Sequence, residues 1–148
     1  MMATLAGNGG GLVVASSGNL YISDWGNNLV RRVTPGGTIS VFARDPKGYG
    51  GGYYGDNGPA VGAGLNNPLS LALDSSGNLY ITDFVNQRIR KVSTNGTITT
   101  VAGVGSGTTL GGQATQTFLS PTERPGHGFE RQHLLEPEPR RRRKRPSA

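Results

Sequence analysis

The sequence predicts an all-β fold, a partial β-propeller of four-stranded blades, and three observations carry that prediction. Residues 16–44 recur 59 positions later as residues 75–103, with fifteen of twenty-nine aligned positions identical and no gap. Each copy alternates short apolar or β-branched runs with clusters of Gly, Asn, Asp and Ser, the composition of strands and tight turns. No segment shows a helical period of apolar residues. A fixed period of this length means units that need neighbours to bury their faces, and four short antiparallel strands per unit suit a propeller blade.

The second copy justifies each element in turn. Leu71-Ala72-Leu73 is a short apolar strand that ends at the turn formers Asp74-Ser75-Ser76-Gly77-Asn78. Leu79-Tyr80-Ile81-Thr82 is the second strand, residues 83–87 are a loop, and Arg88-Ile89-Arg90-Lys91-Val92 is the third strand. Asn95-Gly96 reads as a two-residue hairpin turn, and residues 97–101 close the unit. The first copy offers the same four strands, with Gly36-Gly37 at the turn. Blades are therefore expected over 11–44 and 70–103, joined by a Gly-rich loop over 45–69.

Flanking segments extend the pattern. Residues 4–9, TLAGNG, match residues 100–105, TVAGVG, so residues 1–10 are expected to be the last strand of a preceding blade. Gly112-Gln113-Ala114 and Leu119-Ser120-Pro121 echo Gly58-Pro59-Ala60 and Leu65-Asn66-Asn67-Pro68. Residues 104–122 are thus expected to lead into a third blade, and two complete blades lie between remnants of two more.

Residues 123–148 differ from the body in every respect. The last 28 residues carry a net charge of +4 out of +6, and both histidines, His127 and His133, lie there. Stepping the permitted codons of residues 123–135 forward by one nucleotide allows Leu, Ala, Asp, Ser, Ser, Gly, Asn and Tyr, in the register of Leu71 to Tyr80. The tail is accordingly read as the third blade translated out of frame and disordered. The run Arg140 to Arg145 would otherwise suggest nuclear import or nucleic-acid binding.

Three motifs together resemble a known family: D-x-x-G-N-L-Y-I-x-D at 74–83, N-x-R-I-R-K-V at 86–92, and G-T-I-T-T-V-A-G at 96–103. They are similar to the NHL repeat, and Gly55–Pro68 is similar to the linker between blades in bacterial members. The resemblance covers roughly residues 4–122. In the first copy Ala15 replaces the first Asp and Leu29 replaces the Arg at Arg88. The resemblance implies a fragment of a larger propeller and a parent that is secreted or attached to the cell envelope.

Candidate sites are few. Asp24 and Asp83 end the second strands in equivalent places; a carboxylate there could bind a cation or act as a base, but the role of a turn residue accepting backbone N–H bonds is expected. Arg31, Arg32, Arg88, Arg90 and Lys91 form a basic band; such a band could meet phosphates or acidic partners, but solvated strand charges that discourage edge pairing are expected. Residues 48–58 offer neither a phosphate motif nor enough oxygens for calcium, so Tyr49, Tyr53 and Tyr54 are expected contact residues on a loop. Asn95-Gly96-Thr97 matches a glycosylation sequon but is expected to serve the turn.

The body contains neither His nor Cys, which removes the usual zinc ligands and the base of serine–histidine catalysis. No apolar stretch reaches the ~20 residues of a membrane span, and the N-terminus lacks the pattern of a signal peptide. The expected function is a non-catalytic scaffold for a protein or small ligand, with Arg31, Arg88 and Arg90 beside the tyrosines as contacts, no metal and no cofactor. The alternatives are a piece of a lyase or lactonase whose site lies on other blades, and binding of single-stranded RNA to a basic face. Nucleic acid is not the expected partner. Two blades cannot close a ring, so self-association of the isolated chain is expected.

Overall fold

The computed structural model describes residues 10–45, 52–103 and 113–114. Tyr49, both histidines, the basic tail and the strand expected before residue 10 lie outside the described residues.

Among the described residues nine strands form two antiparallel sheets. Strands β1 (Leu12–Val14), β2 (Leu20–Asp24), β3 (Leu29–Val33) and β4 (Ile39–Ala43) make the first, in chain order. The second consists of β5 (Gly58–Pro59), β6 (Pro68–Leu73), β7 (Leu79–Asp83), β8 (Arg88–Val92) and β9 (Thr97–Ala102), in the order β5-β9-β8-β7-β6. The duplication is a duplication of register: Leu20 opposes Val33 and Leu79 opposes Val92, and both third strands bulge before the central arginine, at Val30/Arg31 and Ile89/Arg90. The structure is thus all-β, a stack of two propeller-type blades.

The segment expected as a loop departs from that expectation. Gly58 and Pro59 pair with Ile98 and Thr97, so the chain leaving the first sheet adds a short strand to the outer edge of the second. It then passes through a 3-10 turn (Ala60–Gly62) and crosses to β6, which begins at Pro68. The Arg44 N–H donates to the Ala60 carbonyl at 3.0 Å, and the Gly103 N–H donates to the Ala114 carbonyl at the same 3.0 Å.

The hairpins correct the expected two-residue turn. The Gly96 N–H donates to the Ser93 carbonyl at 2.8 Å and Gly96 sits at φ +86°, giving a three-residue loop, Thr94-Asn95-Gly96. Thr34 and Gly37 make the same loop in the first sheet, with Gly37 at φ +82°. Only the residue closing the loop needs the left-handed region that glycine reaches without strain, so Asn95 is not at positive φ as a two-residue turn would require.

The core lies between the sheets. Strand alternation puts Leu79, Ile81, Val92 and Ile98 on one face of the second sheet, each at most 1% exposed. They pack with Tyr21, Val30 and Ala43 of the first sheet and with Ala60, Ala63 and Leu65 of the connecting segment. Tyr21 meets Phe42 edge to face at 4.7 Å. At the inner edge the Gly11 N–H donates to the Leu69 carbonyl at 2.6 Å, and the Ser23 hydroxyl donates to the Pro68 carbonyl.

Candidate functional site

The polar residues converge where the connecting segment, residues 52–67, crosses the second sheet. Asp83 ends β7 with its side chain on the buried face, sharing parity with Leu79 and Ile81. Its Oδ1 accepts the Asn66 N–H at 2.7 Å, while Oδ2 accepts the Asn86 amide at 2.8 Å and Arg90 Nη1 at 3.3 Å. Arg90 stands opposite Ile81 on β8 and is wholly buried. Its Nη1 also donates to the Gly64 carbonyl at 3.0 Å, and its Nη2 donates to Asp56 Oδ1 at 2.9 Å and to the Tyr54 carbonyl at 3.4 Å. One guanidinium therefore ties the middle of the sheet to both limbs of the segment, using the fixed fork that lysine lacks.

Tyr53 extends the network outward. Its hydroxyl donates to Asp56 Oδ2 at 2.7 Å and accepts from Thr100 Oγ1 at 3.3 Å. The Arg88 guanidinium lies 3.6 Å from the centroid of its ring and that of Arg90 lies 5.0 Å away, both cation–π contacts. The Asn86 amide reaches the Gly52 carbonyl at 2.8 Å. Close approach is needed at Gly64, where a Cβ would stand 2.6 Å from the Gly52 carbonyl oxygen and 2.8 Å from the Tyr54 ring.

The carboxylates titrate in opposite directions. Burial pushes Asp83 above its ordinary range, and the Asn66 N–H, the Asn86 amide and Arg90 oppose that without reversing it. Partial burial also raises Asp56, but hydrogen bonds from Tyr53 and Thr100 with the Arg90 charge bring it below its ordinary value. Asp74 is held low by the Asn78 amide and N–H, which close the preceding hairpin; Ala15 stands there in the first copy.

In the first sheet the equivalent trio repeats. Arg31 Nε donates to Asp24 Oδ2 at 2.7 Å, and the Asn27 amide reaches both carboxylate oxygens of Asp24 at 2.9 and 3.0 Å. The Asn67 N–H donates to Asn28 Oδ1 at 2.7 Å, a bond from the second unit to the first.

These placements correct the reading of the basic band. Arg90 is enclosed rather than solvated, because it shares strand parity with Val92 on the buried face of the second sheet, and Arg31, on the face opposite the buried Tyr21, Val30 and Ala43, is paired with Asp24. Arg88 is stacked on Tyr53. Asp24 accepts the Asn27 amide and Arg31 Nε, and Asp83 accepts the N–H of the distant Asn66 beside the Asn86 amide and Arg90. Among the expected contacts, Tyr53 is 36% and Tyr54 39% exposed. Asp56, Asn66, Asn86 and Gly64 were not singled out from the sequence as parts of one network. A separate cleft of about 460 Å³ opens between the units, lined by Arg32, Phe42, Asn57, Pro59, Val61 and Asn95 among others. Among the described residues no cluster of His, Cys, Asp and Glu has metal-holding geometry, and no helix is long and apolar enough to cross a membrane.

The family model described as NHL repeat matches residues 65–92, from the end of the connecting segment through β8. The chain is 38% identical over 94 residues to Teneurin-4 of Homo sapiens, an overlap of 57% of this chain and 3% of that protein. Teneurin-3 of Mus musculus is 39% identical over 94 residues, again 57% of this chain and 4% of the relative. Among solved structures, a protein of unknown function from Bacteroides thetaiotaomicron superposes with TM-score 0.52 at 28% identity, covering 62% of this chain and 23% of that one. An auxiliary nutrient binding protein from Bacteroides ovatus shares the fold at TM-score 0.50 and 20% identity, over 64% of this chain and 25% of the other. The chain therefore spans a small part of each relative it matches.

Proposed function

We propose that this NHL-repeat chain is a non-catalytic scaffold that presents loop residues to a protein or small ligand. The observation that carries this reading is the latched segment. Asp83, Asp56, Arg90 and Arg88 are committed to one another and to backbone groups, which holds residues 52–67 rigid while Tyr54 and Val85 project beside them, 39% and 47% exposed. A rigid aromatic on a pinned loop loses little entropy on binding. The pairing of Arg31 with Asp24 and of Arg90 with two aspartates weighs against a phosphate-binding face, since those charges are already neutralised.

Selection of a random-peptide display library on the wild-type chain, with counter-selection on a Tyr54→Ser/Val85→Ser double variant, tests the reading. Peptides that bind the wild type and lose about tenfold or more in affinity for the variant are expected. Recovery only of peptides indifferent to the two substitutions would overturn it.

A further inference from the structure

Among the described cations, Arg32 alone has nothing to hold. Arg31 is bonded to Asp24, and Arg90 to Asp56 and Asp83. Arg88 lies on the Tyr53 ring and donates to the Asn86 carbonyl, while Arg44 Nε donates to the Asp45 carbonyl at 2.9 Å. Lys91 stands 5.8 Å from the centroid of the Tyr80 ring. The Arg32 side chain has no hydrogen bond, ion pair or aromatic face among the described residues, and its Nε is buried without a partner. An enclosed donor of that kind costs free energy until an acceptor reaches the guanidinium.

The repeat shows how this arginine comes to be left over. Its counterpart 59 positions on is Lys91, and the counterpart of Tyr21, which it opposes in the sheet, is Tyr80. In the second unit the cation stands over the tyrosine ring. In the first, the Tyr21 ring meets Phe42 edge to face, at a position where the second unit has Val101. Arg32 and Phe42 both border the cleft of about 460 Å³ between the units.

The far wall of the cleft is built by the connecting segment and the second hairpin. Gly58 and Pro59 are held by pairing with Ile98 and Thr97, and the Ala60 N–H donates to the Gly96 carbonyl at 2.9 Å, so this wall is fixed before anything binds. Val41, Phe42, Pro59 and Val61 make the lining apolar; Arg32 is its one charge, and it includes no carboxylate. Asn57 and Asn95, both exposed, add amide donors. A volume of this size suits a small organic molecule. We propose that the cleft binds a small monocarboxylate with an apolar body, its carboxylate on the Arg32 fork and its body against Phe42, Pro59 and Val61. A phosphate would bring a second negative charge with one cation to meet it, and no apolar part for these walls. Neither Tyr54 nor Val85 lines the cleft, so the inference does not rest on the loop reading above.

The test is calorimetric titration of the full chain with hydrocinnamate, its neutral amide as an uncharged isostere, and inorganic phosphate as the bare anion. Hydrocinnamate is expected to bind with a Kd on the order of 1 mM or tighter, and the amide and phosphate about tenfold or more weakly than that. Arg32→Met keeps the stem and removes the fork; it is expected to weaken hydrocinnamate about tenfold or more and to leave the amide unchanged. Val61→Glu, at an exposed position of the 3-10 turn, is expected to repel hydrocinnamate and takes the place of Arg32→Met if circular dichroism shows that variant unfolded. The Tyr54→Ser/Val85→Ser variant is expected to bind hydrocinnamate as the wild type does, whatever becomes of its peptide binding. The proposal is overturned if hydrocinnamate does not bind, if the amide or phosphate binds as well as the acid, or if the folded cleft variant keeps wild-type affinity. Loss of hydrocinnamate binding in the Tyr54→Ser/Val85→Ser variant also overturns it, because the ligand would then sit on the loop.

Discussion

At the scale of single residues, Arg90 decides how the repeat is held. It is buried between two carboxylates and two carbonyls, so its removal strands Asp83 without its cation in the core. Arg90→Met is expected to cost about 3–5 kcal/mol in urea unfolding, and Arg90→Lys to recover little of it, because a point charge cannot reach both limbs of the segment. An Arg90→Met protein as stable as the wild type would mean the network carries no net stability. The acid response separates the two aspartates. Asp56 titrates below its ordinary value, so its contribution is full above about pH 4 and fades as pH falls through the lowered pKa. Asp83 titrates above its ordinary value, so protonation favours the folded chain, and that gain is lost as pH rises through the raised pKa. Asp56→Asn should therefore steepen nothing at neutral pH and should reduce the loss of melting temperature on acidification below about pH 4. A wild type and variant with parallel melting curves across that range would contradict the assigned shift.

At the scale of elements, the strands and their turns were legible and the latch was not. Leu79-Tyr80-Ile81, the glycine closing each hairpin and the repeat spacing all act locally, so periodicity and turn chemistry reveal them. Asn95-Gly96 favours a two-residue turn, but Gly96 alone takes positive φ here, and the loop is three residues long. Arg90 looked solvated because Arg88-Ile89-Arg90-Lys91-Val92 is rich in charge. Parity held the missing signal: Arg90 alternates with Lys91 and Ile89, on the side of Val92, opposite Ile81. Its partner Asp56 lies 34 residues away, in a Gly-rich stretch without periodicity, and only tertiary packing brings it there. The segment's fit is tight at Gly64. Gly64→Ala places a methyl group against backbone at Gly52 and should cost about 1–3 kcal/mol, seen as a lowered urea midpoint with an unchanged slope. The Ala15→Asp change is the converse: it restores the cap that Asp74 supplies in the second copy and should raise the melting temperature.

At the scale of the whole molecule, the contrast between equivalent positions is more informative than any single exposure. Exposed leucines on a surface need no explanation, but Leu12 is exposed where Leu71 packs against the core. The loop rim is separate from both sheet faces, so recognition there should be separable from folding: Tyr54→Ser is expected to weaken selected-peptide affinity about tenfold while leaving the urea midpoint unchanged. Calorimetric titration of the variant with one selected peptide, beside urea unfolding, checks this.

The path of the connecting chain also sets where this molecule can be cut. Because Gly58 and Pro59 close the outer edge of a sheet whose other strands come later, the exchangeable module is residues 52–103 rather than the strands from 68 to 102 alone. A recombination joint at Pro68 would separate Arg90 from Asp56 and leave β9 with an open edge; a joint just before Gly52 carries the whole latch with its sheet. Duplication of such genes is thus constrained by a hydrogen-bonded seam that lies well upstream of the motif by which the repeat is recognised.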